Sequence, residues 1–324
     1  MSQTLFSLAG FQVITIGRFW VIAEENVLPM LSSTNFWMSL AGLLYLAAGV
    51  FILRKELGAA RPWDKLILLA GVFIAVPLAT FAPEHFRGPE FVQQTVPSYM
   101  PARWFWPYFI GCALLAAATS LTARKFVRWS STLLGLMFFL FVCMIYLRIA
   151  FRHPASRFGW TYALRDLSFC AGAWALASLH WRASWPQLSQ GMVLFARVVI
   201  AVAATFYGVQ HFLHPDFAPG VPLELKMPSW VPIPGLWAYL AGAILLAAGI
   251  ALALNKQPRM AAASIGALMT VLTVFPYLAI LLRAHAAPEF NEALNYVADT
   301  LLYAGAALAL ASALPHDPAR MEQT

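Results

Sequence analysis

Long apolar runs, broken by short polar stretches, organise this chain. A helix that crosses a bilayer needs about 20 mainly apolar residues. Eight segments supply them: 36–53, 66–83, 104–123, 130–150, 192–210, 236–254, 260–283 and 298–314. Two weaker segments join these: residues 5–23, which include Arg18, and residues 166–181, which are short. Together they predict an all-α, polytopic transmembrane bundle of about ten spans, with both termini on one side. Gly42 and Gly49 fall on one helix face, as do Gly242 and Gly249. Small residues let helix backbones approach closely where lipid supplies no hydrophobic drive, so these faces are expected inside the bundle.

The pattern also repeats. Residues 85–91, HFRGPEF, match 211–217, HFLHPDF. After a short gap, Pro97-Ser98 aligns with Pro228-Ser229 and Pro101 with Pro232; Trp106, Tyr108 and Gly111 then fall on Trp237, Tyr239 and Gly242. The register continues through Lys125 and Lys256, Gly135 and Gly266, Tyr146 and Tyr277, and Arg152 and Arg283, and reaches Asp166 and Asp299 after a second small gap. Composition alone does not align His, Pro, Trp, Arg and Asp in order over such a length. The predicted organisation is an N-terminal transmembrane hairpin (1–62), two four-helix repeats (63–185 and 186–314) and a polar cytoplasmic tail (315–324). Four spans per repeat is an even number, so the copies enter the membrane in the same direction. His85 and His211 are then expected on one face.

Composition agrees with a membrane setting. The chain is 61% hydrophobic and 11% charged, against roughly 25% charged in soluble domains. Its net charge of +7 does not imply nucleic acid, because the basic residues sit in short clusters such as Arg54-Lys55 and Arg124-Lys125. With the N-terminus inside, inner loops and tail hold eleven Lys and Arg against eight outside. The expected setting is a bacterial inner membrane, with the lipid bilayer as the obligatory partner. No removable signal peptide is predicted. Cys112, Cys143 and Cys170 each fall in an apolar run and read as small buried residues.

The string His-Phe, then Pro, then Phe, then a proline-rich stretch and a span opening on Gly, resembles the DoxX-like membrane proteins. Their pattern runs G-x-x-H-F-x-x-P-x-x-F, then V-P-x-x-L-P, then a helix starting G-x-x-E. Gly208, His211, Phe212 and Pro215 match its first part, with Phe217 one place before its last Phe, and Met227-Pro228-Ser229-Trp230-Val231-Pro232 approximates the second. The first repeat matches through His85, Phe86, Pro89, Phe91, Pro97 and Pro101, with Ala82 at the opening Gly. The acidic residue of G-x-x-E is replaced by Leu114 and Leu245. The resemblance implies a four-helix unit and a link to quinone-coupled sulfur or thiol oxidation, with a soluble or membrane oxidoreductase as partner.

Candidate chemistry is sparse. His85 and His211 are expected at the outer ends of spans, where an imidazole either serves a quinone head group or other small ligand or hydrogen-bonds the following loop. Asp166 and Asp299 are expected to open the last span of each repeat. They either pair with Arg152 and Arg283 or with the histidines, or sit as acids at helix N-termini. Arg197, inside an apolar run, either marks function or snorkels to the inner interface. Trp104, Trp106, Trp230 and Trp237 read as interfacial anchors. No metal-ligand spacing is present, and no catalytic residue is assigned; quinone is the one cofactor suggested. The preferred reading is a quinone- or small-molecule-binding accessory subunit of a membrane redox complex. A non-catalytic scaffold or a small-solute transporter are the alternatives.

Overall fold

The computed structural model describes residues 33–315. Nine long helices fill that range: α1 (Thr34–Ala59), α2 (Pro62–Arg87), α3 (Phe105–Ala123), α4 (Val127–Arg152), α5 (Arg157–Trp181), α6 (Pro186–Leu213), α7 (Pro234–Ala253), α8 (Pro258–Arg283) and α9 (Ala287–Ala313). All except α5 are long and apolar enough to cross a membrane, and each of these eight covers one of the eight strong apolar runs. The weaker run at 166–181 is the second half of α5, whose first half carries Arg157, Arg165 and Asp166. The run at 5–23, with Arg18, lies outside the described residues.

Two helices begin well before their apolar runs. α9 starts at Ala287, because Glu289, Asn291, Glu292 and Asn295 alternate at helical spacing with Phe290, Leu294 and Val297. The apolar face of that turn packs on Met38 and Leu281. Its polar face forms a chain in which Asn295 donates to Asn291 (3.1 Å) and Asn291 donates to Asn35 of α1 (2.9 Å). α5 likewise starts at Arg157. Asp166 and Asp299 therefore lie two or more turns inside their helices and are not N-terminal acids, which corrects the sequence expectation.

The packing has a regular plan. α2 lies on α3, α6 on α7, α4 on α5 and α8 on α9. α5 and α9 meet at the centre, α6 also packs on α5, and α2 on α9. α1 lies outside, on α2 and α3. Small residues make these contacts possible. A side chain at Gly42 would meet Thr80 of α2, and one at Gly49 would meet Val72. Gly242 lies on Gly208 and His211 of α6, and Gly249 on Thr205. The glycine faces are thus interior, as their spacing predicts. The central crossing is closest at Gly172 of α5, which lies against the backbone of Ala306 of α9.

Local irregularities recur. α4 contains a π-turn at Val142–Tyr146, and α8 contains one at Thr273–Tyr277. Among the described residues, the non-glycine residues with left-handed backbone are Ala102, Arg124 and Phe126 in the first half and Ile233, Asn255 and Gln257 in the second. They fall into three pairs with one common spacing in the sequence. Left-handed φ is uncommon for such side chains, so the coincidence reflects a shared backbone path. Trp106 donates to the Pro101 carbonyl (2.9 Å), and Trp237 to that of Pro232 (3.1 Å).

Of the cysteines only Cys170 is buried; Cys112 and Cys143 lie on the outer surface, and all three are free thiols. Their burial was overestimated because an apolar run does not reveal which of its faces meets lipid. Arg197, about three turns into α6, donates to Asn255 just beyond the end of α7. Its guanidinium thus reaches the end of the bundle that carries the short basic loops.

Candidate functional site

The central crossing brings Asp166 and Asp299 to one guanidinium. Arg165 lies one heptad before Gly172 on α5, and Asp299 one heptad before Ala306 on α9, so both sit at the same height above the close contact. Arg165 Nε donates to Asp166 Oδ1 (2.8 Å) and Nη1 donates to Asp299 Oδ2 (2.7 Å). Nη2 makes a long 3.4 Å contact to the Tyr146 hydroxyl. The guanidinium also lies 4.7 Å from the centre of the Tyr162 ring, an attractive cation–π distance. Asp166 is 3% exposed and Asp299 8%. A buried carboxylate is tolerated only when paired, and here two share one partner.

That partner is not the one expected. Arg152 is exposed at the end of α4. Arg283, also exposed, stacks on Trp230 at 4.2 Å. Neither reaches the aspartates. Arg165 was overlooked because its position beside Asp166 placed it in an outer loop. Its adjacency to an acid at the edge of an apolar run was the available signal.

The two histidines separate chemically. His211 is fully buried. Its Nδ1 lies 2.6 Å from the Tyr207 carbonyl, and the Gly220 N–H donates to Nε2 (3.1 Å). A carbonyl on Nδ1 and a donor on Nε2 require the neutral Nδ1–H tautomer, and they leave no ring nitrogen for a ligand. The loop that supplies Gly220 is deeply seated: Ala218, Val221 and Leu223 are fully buried. The Tyr277 hydroxyl donates to the Ala218 carbonyl (3.3 Å). Gly220, at φ +153°, passes so close to the Tyr277 ring that a side chain has no room. Outside the bundle the loop is clamped by Arg157, whose Nη1 donates to the Leu223 carbonyl (2.6 Å) and whose two Nη groups each reach a Glu224 oxygen at 3.2 Å. Burial raises the Glu224 pKa, while Arg157 and a hydrogen bond from Thr161 oppose that rise.

His85 is only half-buried. Its Nδ1 lies 3.0 Å from the Phe81 carbonyl, the same helix-internal contact that His211 makes. It lines a cavity of about 940 Å³ between α3, α4 and the 92–101 loop, with Val96, Met100, Trp106, Leu134 and Tyr146 among the other walls. Phe109, Leu133 and Leu140, also in its lining, are exposed on the bundle's flank, so the cavity opens sideways toward lipid. Arg103 fixes the loop over it by donating to the Gln93 and Val96 carbonyls, each at 3.0 Å. Among the described residues no group of three or more His, Cys, Asp or Glu side chains is placed to hold a metal ion.

Residues 192–279 match the family model of DoxX. That stretch is DoxX-like. The match spans most of α6, all of α7 and α8 as far as its π-turn, and it includes His211 and the buried loop. With eight helices apolar and long enough to span, the chain is a multi-pass membrane protein. No curated protein and no solved structure matches it. Leu245 in the DoxX-like segment and Leu114 in the first half are both buried in the core. The position where the family pattern carries an acid therefore points inward, and here it contributes packing only.

Proposed function

We propose that the chain consists of two copies of a four-helix unit, 63–185 and 186–314, joined to an N-terminal hairpin. In this reading the first copy keeps an open site for an amphipathic, quinone-like molecule, and the second has closed its own. The recurring π-turns, paired left-handed residues and matched Trp–Pro contacts support the duplication. The observation that carries the functional reading is the contrast between equivalent residues. In the second copy, His211 Nε2 and the Tyr277 hydroxyl are both taken by the chain's own 218–220 loop. In the first copy, His85 and Tyr146 line a cavity instead.

The cavity fits such a ligand. Its walls are mostly apolar, and its volume lies in the range of small-molecule sites. With its proton on Nδ1, His85 offers Nε2 as an acceptor for a hydroxyl. Tyr146 accepts from Arg165, so its own hydrogen remains available for a carbonyl oxygen. A quinone, when bound, supplies two-electron chemistry; the chain's part is to hold the head group and exclude water. Tyr146 also ties the cavity to the Arg165 bridge between the copies.

The protein would act as an accessory subunit of a redox complex in a bacterial inner membrane, with both termini cytoplasmic and an oxidoreductase as partner. The Lys and Arg bias between alternate loops supports this orientation. Quantifying quinone extracted from protein purified in mild detergent tests the reading. Near-stoichiometric quinone in the wild type and its loss in His85→Ala are expected. Equal, trace amounts in both would overturn it. Buried charge within helices also favours a transport reading, which substrate-dependent uptake into proteoliposomes would support.

A further inference from the structure

A second cavity, of about 340 Å³, lies against α6 at the end of the bundle where the short basic loops are. Its long wall is one face of α6: Pro186, Ser189, Gln190, Val193, Leu194 and Arg197 recur at helical spacing. Arg182, just beyond α5, and Ala313–Pro315, at the end of α9, close it. Its two charged lining residues are both arginines, and no carboxylate lines it among the described residues.

Among the described residues each guanidinium is anchored through one nitrogen and has others to spare. Arg182 Nη2 donates to the Ala313 carbonyl at 3.0 Å and so caps the negative end of α9. Arg197 Nη1 is held by Asn255. Ser189 is already committed, donating to the Ser178 carbonyl at 2.9 Å. The first turn of α6 adds the positive end of a helix dipole. Beside Arg197 the wall is apolar, made by Val193 and Leu194, and Leu188, Leu194 and Val198 are exposed on the adjoining surface of α6. The cavity therefore presents positive charge next to an apolar surface running along the helix.

We propose that this cavity binds the phosphate of an anionic phospholipid, with an acyl chain laid along Leu194 and Val198. A free phosphate ion would use the arginines but not the apolar strip, so the lipid is the occupant that uses the whole surface. The site is independent of the His85 cavity, which lies between a different helix pair, α3 and α4. It also explains an arginine set deep in an apolar run: Arg197 meets a lipid head group and not only water.

The test uses the full chain in detergent, with native mass spectrometry and thermal unfolding read against added phosphatidylglycerol, phosphatidylcholine and inorganic phosphate. Phosphatidylglycerol is expected to be retained and to raise the unfolding temperature, while phosphatidylcholine has little effect. Arg182→Gln and Arg197→Gln should each weaken phosphatidylglycerol by about fivefold, and Arg197→Lys should restore most of the loss. Arg182 is at the exposed rim, so Arg182→Gln remains readable if Arg197→Gln does not fold. Equal binding of the two lipids, or unchanged phosphatidylglycerol affinity in Arg182→Gln, would overturn the site. Displacement of the lipid by millimolar inorganic phosphate would reassign it to a free anion.

Discussion

Arg165 of α5 donates to Asp299 of α9 at 2.7 Å, across the central crossing of the bundle. The same guanidinium holds Asp166 of its own helix. Removing Arg165 leaves two buried carboxylates without a cation. Breaking a buried pair in this way costs about 3–5 kcal/mol, so Arg165→Met should lower stability by that order in a denaturant or thermal titration. Asp299→Asn, which keeps the shape and leaves Arg165 paired with Asp166, should be milder. Equal losses in the two variants would mean that charge balance is not what the cluster provides.

The crossing beneath that bridge rests on Gly172, with Ala306 packed against it. Gly172→Val should destabilise by at least about 1–3 kcal/mol, because a packed backbone cannot yield as a side chain can. Gly191 of α6 has open space around its Cα, and Gly191→Ala should be neutral or stabilising by up to about 1 kcal/mol through helix propensity alone. Paired thermal melts of these two variants separate close packing from a general intolerance of substitution.

His211 and His85 should respond differently to alanine. His211→Ala strands the Gly220 N–H in a buried site, at a cost of about 1–3 kcal/mol, and hydrogen exchange should rise across 216–224. His85→Ala removes a half-buried ring that lines a cavity, and its melting curve should stay close to wild type. A large loss of stability from His85→Ala with no change from His211→Ala would reverse the assignment.

The Arg157–Glu224 clamp predicts a pH dependence. Burial lifts the Glu224 pKa above its ordinary value of 4.5, so the folded loop holds that proton more tightly than the free chain does. Loop docking should therefore weaken as pH rises past the ordinary value and through the raised one. Arg157→Met removes the group that opposes the rise, so its loop should detach more readily at pH 8 than at pH 5. Glu224→Gln should flatten the response. Limited proteolysis across 214–233 as a function of pH reads all three.

Much of the helical architecture is visible in the hydrophobic pattern, because a bilayer demands long apolar runs and the eight strong ones stand out. The glycine spacing likewise identified which faces of α1 and α7 pack inward. What the pattern hid is instructive. The first turns of α9 carry Asn295, which donates to Asn291, and Asn291, which donates to Asn35, and polar residues paired inside a bundle read as loop in a hydropathy scan. The aspartates were recognised as matters of interest, but not their partner. Arg165 and Asp166 are sequence neighbours that meet Asp299 only after two helices cross. The 218–224 loop enters the bundle far enough to satisfy His211, and a stretch so short and broken by Pro219, Gly220 and Pro222 does not stand out in a hydropathy scan.

Photolabelling with an azidoquinone, followed by peptide mapping, tests the central claim most directly. Label should appear in peptides covering 92–110 and 130–146, fall when excess unlabelled quinone is added, and disappear in Ala113→Phe, which fills the cavity from α3. Label concentrated in 211–240, or label in 92–146 that excess quinone does not displace, would contradict the account.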